Sequence, residues 1–95
     1  MAEIIRPNGQ RQLVRPAGAT FTLEELYRYV ETNVVEAVRL ADGRTLWCDE
    51  EAKCREPWPP ANAEATRLVA EAGGIPGDIV LGTVLVTSPE EEEEG

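Results

Sequence analysis

The sequence contains no histidine, and this absence excludes several kinds of chemistry. A serine or cysteine nucleophile activated by a neighbouring imidazole cannot form. Zinc and iron sites lose their most common nitrogen ligand. The two cysteines, Cys48 and Cys54, lack the close spacing of a redox pair or a zinc knuckle. We therefore expect no enzymatic activity, no metal site and no cofactor. We expect Cys48 in the core and Cys54 at the surface, with a redox or metal role as the weaker alternative.

The sequence also lacks a long apolar run. The longest largely apolar stretch, residues 79–86, is far shorter than the roughly 20 residues that span a bilayer. The first residues contain no apolar segment of the kind found in signal peptides. These features predict a cytosolic protein, in which both thiols are reduced.

Basic residues are scarce: nine Lys and Arg stand against 18 Asp and Glu, for a net charge of −9. Five of the acidic residues form a run at residues 90–94, so the rest of the chain carries about −4. This balance disfavours direct binding to nucleic acid or to anionic membranes. We expect one domain over residues 1–88 and a disordered acidic tail over residues 89–95.

Turn and capping residues divide the chain into strands and helices. A turn at residues 7–10 predicts a first hairpin. Thr22 and Glu25 have the spacing of a capping box, and Asn33 offers a left-handed end to the helix that follows. Asp42 and Gly43 predict a second hairpin, with strands over residues 34–40 and 45–49.

The second half of the chain continues this pattern. Asn62 can cap a second helix that ends at Gly73 or Gly74. Residues 79–87 then form a strand that is apolar on both faces and therefore central, with Gly82 at a bulge or a close backbone contact. The order ββαββαβ predicts an α+β domain with a mainly antiparallel sheet and both helices packed on one face.

Two charged or glycine-rich segments allow more than one interpretation. Glu36 alternates with apolar residues, so either a bulge shifts the register or Glu36 lies near the sheet edge with an Arg partner. Residues 49–51 (Asp-Glu-Glu) form a solvated strand end rather than a cation site, because the spacing of a calcium loop is missing. Residues 73–77 follow a helix, whereas phosphate loops precede one, which favours a simple helix-ending turn.

Several segments together resemble a family of short, uncharacterised proteins of bacteriophages and bacterial mobile elements. The shared segments are residues 4–9 (IIRPNG), Phe21 with residues 23–26 (LEEL), residues 36–40 (EAVRL) with 42–43 (DG), residues 48–51 (CDEE), residues 59–62 (PPAN) and residues 77–82 (GDIVLG). The chain departs from the family at Thr32-Asn33 and at Trp58. The resemblance implies a phage or prophage accessory protein and supplies no catalytic residues.

The two tryptophans are the candidate binding residues. Trp47 alternates with Leu46 and Cys48, so it lies on the opposite face of the sheet from them. Trp58 stands between prolines in a rigid loop, from which its ring can enter a partner's pocket or, alternatively, fold over the sheet and complete the core. The further candidates are Arg39, Arg44 and Arg55, which could contact an anionic partner.

Three functions are compatible with these residues. The first is an interaction module that binds a host protein, in host takeover or anti-defence, and that can form a homodimer. The second is a small-molecule binder that sequesters a nucleotide-like host signal by stacking and arginine contacts. The third and weakest is an acidic mimic of DNA.

Overall fold

The computed structural model describes residues 1–74 and 78–91. Seven helices and strands follow one another in the predicted order ββαββαβ. They are β1 (Ala2–Ile5), β2 (Arg11–Val14), α1 (Leu23–Val30), β3 (Val35–Arg39), β4 (Thr45–Asp49), α2 (Ala63–Glu71) and β5 (Val84–Thr87). Short 3-10 turns occupy Ala52–Cys54 and Pro89–Glu91.

One antiparallel sheet contains all five strands in the order β2-β1-β5-β4-β3. The last strand is central, as its apolar sequence predicts, and all four of its residues are buried. It is shorter than predicted, because the ladder begins only at Val84. Upstream of the strand, Leu81 forms an isolated bridge to Ala61. The next residue, Gly82, has a φ of 80°. Gly82 therefore marks the backbone irregularity expected there.

The α+β class is confirmed, but the prediction that both helices pack on one face is wrong. One face of β1 and β5 carries Ile4 and Leu85, which pack with Phe21, Leu26 and Val30 of α1 and the residues before it. The other face carries Ile5, Val84 and Val86, which pack under α2 with Ala65. Since the central strands are apolar on both faces, each face needs a cover, and each short helix supplies one.

Helix α1 begins with the predicted capping box. The Thr22 hydroxyl accepts a hydrogen bond from the Glu25 N–H at 3.2 Å, and the Glu25 carboxylate accepts from the Thr22 N–H at 3.0 Å. The same carboxylate accepts from the Ala17 N–H at 3.0 Å. These backbone hydrogen bonds lower the pKa of Glu25. The helix ends at Glu31, which has a left-handed φ of 62°, and not at Asn33 as predicted.

The β3–β4 hairpin has the predicted Asp42-Gly43 turn. Gly43 has a φ of 91°, and its N–H donates to the Leu40 carbonyl at 3.1 Å. Glu36 is exposed on β3, which is an edge strand, so no bulge is needed to explain its charge. The expected arginine partner is absent among the contacts of the described residues.

Asn62 caps α2 and also ties it to the sheet. Its side-chain oxygen accepts from the Ala65 N–H at 3.1 Å. Its amide nitrogen donates to the carbonyls of Ile5, at 3.0 Å, and Gly82, at 2.9 Å. Asn62 is 1% exposed, so water cannot replace these bonds. The helix closes at Gly73, with a φ of 90°, and residues 75–77 of the predicted glycine-rich turn lie outside the described part of the chain.

The folded body continues beyond Ser88, the predicted end of the domain. Glu91 is buried, its carbonyl accepts from the Phe21 N–H at 2.8 Å, and its carboxylate accepts from the Ser88 N–H and hydroxyl at 3.1 and 2.8 Å. Residues 89–91 therefore belong to the domain, which corrects the predicted boundary. The remainder of the predicted tail, residues 92–95, lies outside the described residues.

Candidate functional site

Residues 50–60, which we call the proline loop, connect β4 to the start of α2. The loop makes a 3-10 turn at Ala52–Cys54, and Ala52 is buried against the body. Pro57, Pro59 and Pro60 follow, and their rings restrict the backbone and remove hydrogen-bond donors. A loop of this composition keeps one path over the surface at a low cost in conformational entropy.

Arg55 fixes the middle of the proline loop to the end of β4. Its Nε donates to Asp49 Oδ2 at 2.5 Å and one Nη donates to Asp49 Oδ1 at 3.2 Å, in a fork-like arrangement. The same Nη donates to the Thr32 hydroxyl at 2.9 Å. Partial burial raises the pKa of Asp49, but hydrogen bonds from Arg55, the Glu51 N–H and Thr32 outweigh this effect and leave that pKa lowered. Arg55 thus has a bracing role within the chain.

Two further contacts hold the loop on its other side. Lys53 forms an ion pair with Asp78, which precedes the segment leading to β5. The Gly82 N–H donates to the Pro60 carbonyl at 2.7 Å. A Cβ placed on Gly82 would lie 3.5 Å from Pro59 Cβ, so the loop runs close to this backbone. The end of the proline loop is therefore anchored to the segment before the central strand.

Trp58 projects from this braced loop into solvent. Its side chain is 58% exposed, and its indole Nε1 donates to the Lys53 carbonyl at 2.9 Å, which restricts the orientation of the ring. Ile79 is 45% exposed, and both it and Trp58 border clefts that Lys53 also lines. Pro57 is exposed as well, and we call these three exposed apolar side chains around Lys53 the loop patch (Pro57, Trp58 and Ile79).

Trp47 occupies a different position. It lies on the opposite face of β4 from Leu46 and Cys48, as predicted, and there it packs with the cluster under α1. Its Nε1 donates to the Thr87 hydroxyl at 3.0 Å. Trp47 is therefore half-buried in the core and separate from Trp58.

Arg39 and Arg44 lie at the β3–β4 turn, at the opposite end of β4 from Arg55. One Arg39 Nη donates to the Gly43 carbonyl at 2.8 Å, and the Arg44 Nε donates to the Asp42 carboxylate at 2.7 Å. The length of β4 separates them from the proline loop by roughly 15 Å, at about 3.3 Å per residue. The structure thus brings Arg55 and Trp58 together and places the other three candidates elsewhere.

Sequence reasoning missed the residues that hold the loop in place. Thr32, Lys53 and Asp78 carry no motif, and their roles arise from contacts between distant segments. The exposure of Ile79 was also missed, because this residue belongs to an apolar run that predicts a buried strand. The only sequence signal was the opposite charge of Lys53 and Asp78, which does not by itself identify a pair.

The two cysteines differ in environment, as predicted. Cys48 is buried. Its burial, and to a smaller extent the nearby carboxylate of Glu36, raises the pKa of its thiol to about 12. A thiol in this state is a poor nucleophile at neutral pH. Cys54 is exposed in the proline loop.

Other candidate chemistry is sparse in the part of the chain that the structure describes. No group of three or more His, Cys, Asp or Glu side chains there could hold a metal ion. Neither α1 nor any other described helix combines the length and apolarity needed to cross a bilayer. A cleft of about 120 Å³ beside Cys48 is lined by Lys53 and Asp78, which already pair with each other.

Comparison with known proteins identifies a family for this chain but no individual relative. No curated protein and no solved structure matches the chain. One family model, described as a domain of unknown function (DUF3846), matches residues 3–95 and thus almost every described element, the proline loop included. The chain therefore belongs to the DUF3846 family.

Proposed function

We propose that this protein is a non-enzymatic interaction module that binds another protein through the loop patch. The observation that carries this proposal is Trp58, a large aromatic side chain that is 58% exposed on a loop held by hydrogen bonds and ion pairs. Tryptophan is enriched among the residues that dominate binding energy at protein interfaces. A braced loop loses little conformational entropy when it binds, so more of the contact energy appears as affinity.

The biological setting is part of the same proposal. The resemblance to bacteriophage and mobile-element proteins suggests an accessory protein that acts in the bacterial cytoplasm, where the partner is a host protein. An accessory protein can act by masking a host protein, in host takeover or in anti-defence, and a small domain with one exposed aromatic anchor is suited to that role.

The geometry supports the nucleotide-sequestering alternative less well. Such a site needs aromatic and arginine side chains that converge on one concavity. Trp47 is in the core, and Arg39 and Arg44 lie far from Trp58. Arg55 is near Trp58, but its guanidinium is already bound to Asp49 and Thr32.

The experiment compares wild type, Trp58→Ala and the control Leu13→Ala as immobilised baits in bacterial lysate. Leu13 is 64% exposed on β2, so its substitution removes a similar class of side chain at another place. Retained proteins are identified by mass spectrometry, produced in pure form and measured by calorimetry. Small molecules released by heat are analysed from the same eluates.

A purified partner should lose at least about 30-fold in affinity with Trp58→Ala, because a hot-spot tryptophan contributes 2 kcal/mol or more. The same partner should bind Leu13→Ala as tightly as wild type. Equal affinity for wild type and Trp58→Ala would contradict the proposal. Release of a nucleotide without any protein partner would favour the sequestering alternative.

A further inference from the structure

The positive charges of the proline loop are used in ion pairs that brace the loop, whereas its exposed negative charges are not, within the part of the chain that the structure describes. The two cations of the proline loop are both engaged within the chain, Lys53 with Asp78 and Arg55 with Asp49. The exposed glutamates of the loop are Glu50, Glu51 and Glu56, and within residues 1–74 and 78–91 none of them forms an ion pair or a side-chain hydrogen bond. The loop patch therefore has an anionic border.

The position of these glutamates relative to Trp58 follows from the loop contacts. Glu56 lines the same open cleft as Trp58, and Glu50 lines the cleft that contains Ile79. Glu51 is near enough to Arg55 to act with Asp49 in raising the pKa of that guanidinium. The carboxylates thus flank the apolar side chains on the surface that a partner would cover.

We propose that the partner of the loop patch is a protein with an apolar pocket bordered by lysine or arginine. In this arrangement the pocket receives the Trp58 ring, and the cations at its border face Glu50, Glu51 and Glu56. This inference rests on the proposed function, since it names the chemistry of the partner at the same site. Charged borders of this kind mainly set the association rate and the choice of partner.

The same charges argue against a second copy of this chain as the occupant. Two copies of the loop patch meeting face to face would bring six exposed glutamates together, and each chain has a net charge of −9. Like charges placed opposite each other cost several kcal/mol at an interface. The anionic border equally disfavours the phosphate backbone of nucleic acid.

The test uses a displayed library of disulfide-cyclised peptides of random sequence as the probe. Peptides are selected on wild-type protein and counter-selected on Trp58→Ala, so that the survivors depend on the tryptophan. We expect these peptides to combine apolar residues with Lys or Arg. Their association rate should fall by about tenfold or more between low and high salt, because electrostatic steering of oppositely charged surfaces is screened.

A charge-matched pair of variants makes the test specific. Glu50→Gln, Glu51→Gln and Glu56→Gln combined should reduce the association rate of the selected peptides by about tenfold at low salt. The control combines Glu24→Gln, Glu71→Gln and Glu90→Gln, which changes the net charge equally at exposed sites away from the proline loop and should leave the rate within about twofold.

The outcomes separate the two proposals. Peptides that depend on Trp58 but show no enrichment in Lys or Arg and no salt dependence would overturn the cationic partner and leave the interaction module intact. Selected peptides that bind the two triple variants at the same rate would also overturn the cationic partner and leave the interaction module intact. If no peptide discriminates between wild type and Trp58→Ala, the loop patch is not a binding site and both proposals fail. Self-association of the wild-type protein that Trp58→Ala abolishes would show a second copy as the occupant.

Discussion

Asn62 is the residue whose substitution should weaken the fold most for its size. Its side chain is buried and makes three hydrogen bonds: one from the Ala65 N–H, and one each to the carbonyls of Ile5 and Gly82. Asn62→Ala removes an N-cap, at about 1 kcal/mol. It also leaves two carbonyls short of a donor, at about 1 to 1.5 kcal/mol each. The expected loss in the free energy of unfolding is about 3 to 4 kcal/mol, a large part of the stability of a small domain.

The assay is urea unfolding followed by tryptophan fluorescence, with Trp47 in the core as the reporter. With an m-value of about 1.5 kcal/mol per molar, Asn62→Ala should lower the midpoint by about 2 to 3 M and leave m unchanged. Asn62→Ser keeps a cap acceptor and should lose less. Asn62→Asp also keeps the cap but points a carboxylate at two carbonyl oxygens, so it should lose more than the alanine variant.

The matched control is Asn33→Ala, since Asn33 is exposed, and it should change the free energy of unfolding by less than about 0.5 kcal/mol. An aspartate variant as stable as wild type would refute the reasoning, because it would mean that the amide nitrogen does not face the Ile5 and Gly82 carbonyls. A loss below about 1 kcal/mol for Asn62→Ala would refute it as well.

Three further predictions concern thiols, the end of the domain and pH. Cys54 should react with a thiol reagent in the native protein and Cys48 only after unfolding. Titration should therefore count one thiol in the native protein and two in the unfolded protein, and two fast-reacting thiols in the native protein would contradict the burial of Cys48. Glu91→Ala should lower the free energy of unfolding by about 1 to 3 kcal/mol, whereas the exposed neighbour Glu90→Ala should have little effect, and equal effects would contradict the corrected boundary. Because the pKa of Glu25 is lowered in the folded state, its carboxylate should stabilise the fold fully above the ordinary glutamate pKa and less as pH falls through the folded-state pKa. In urea unfolding from pH 7 to pH 3, Glu25→Gln should therefore lose less stability at acid pH than wild type does.

Some features of the fold could be predicted because short-range chemistry decides them. The capping box of Thr22 and Glu25 and the turn at Asp42-Gly43 depend on residues within four positions of one another. The central position of β5 follows from an apolar run that only a strand covered on both faces can bury. The separate environments of Cys48 and Cys54 follow from β4 and the proline-rich segment after it.

Other features could not be predicted, because they depend on which segments meet. The helices cover opposite faces of the sheet, and periodicity within each helix gives no information about the face it will cover. The acidic composition of residues 90–94 predicted a solvated tail, yet Glu91 is buried by contacts with Phe21 and Ser88. The left-handed residue after α1 is Glu31 rather than Asn33, a choice that local preference does not favour.

The sequence by itself determined the order of the elements, the class of the fold and the exposed proline loop, since these depend on local backbone preference and on the pattern of apolar residues. Only the tertiary structure decided which candidate residues can act together. It placed Trp47 in the core, left Arg39 and Arg44 at the far turn and engaged Arg55 with Asp49. The physical reason is that pairing and burial are set by contacts across long sequence separations, and those contacts left Trp58 exposed on a loop with the exposed glutamates Glu50, Glu51 and Glu56.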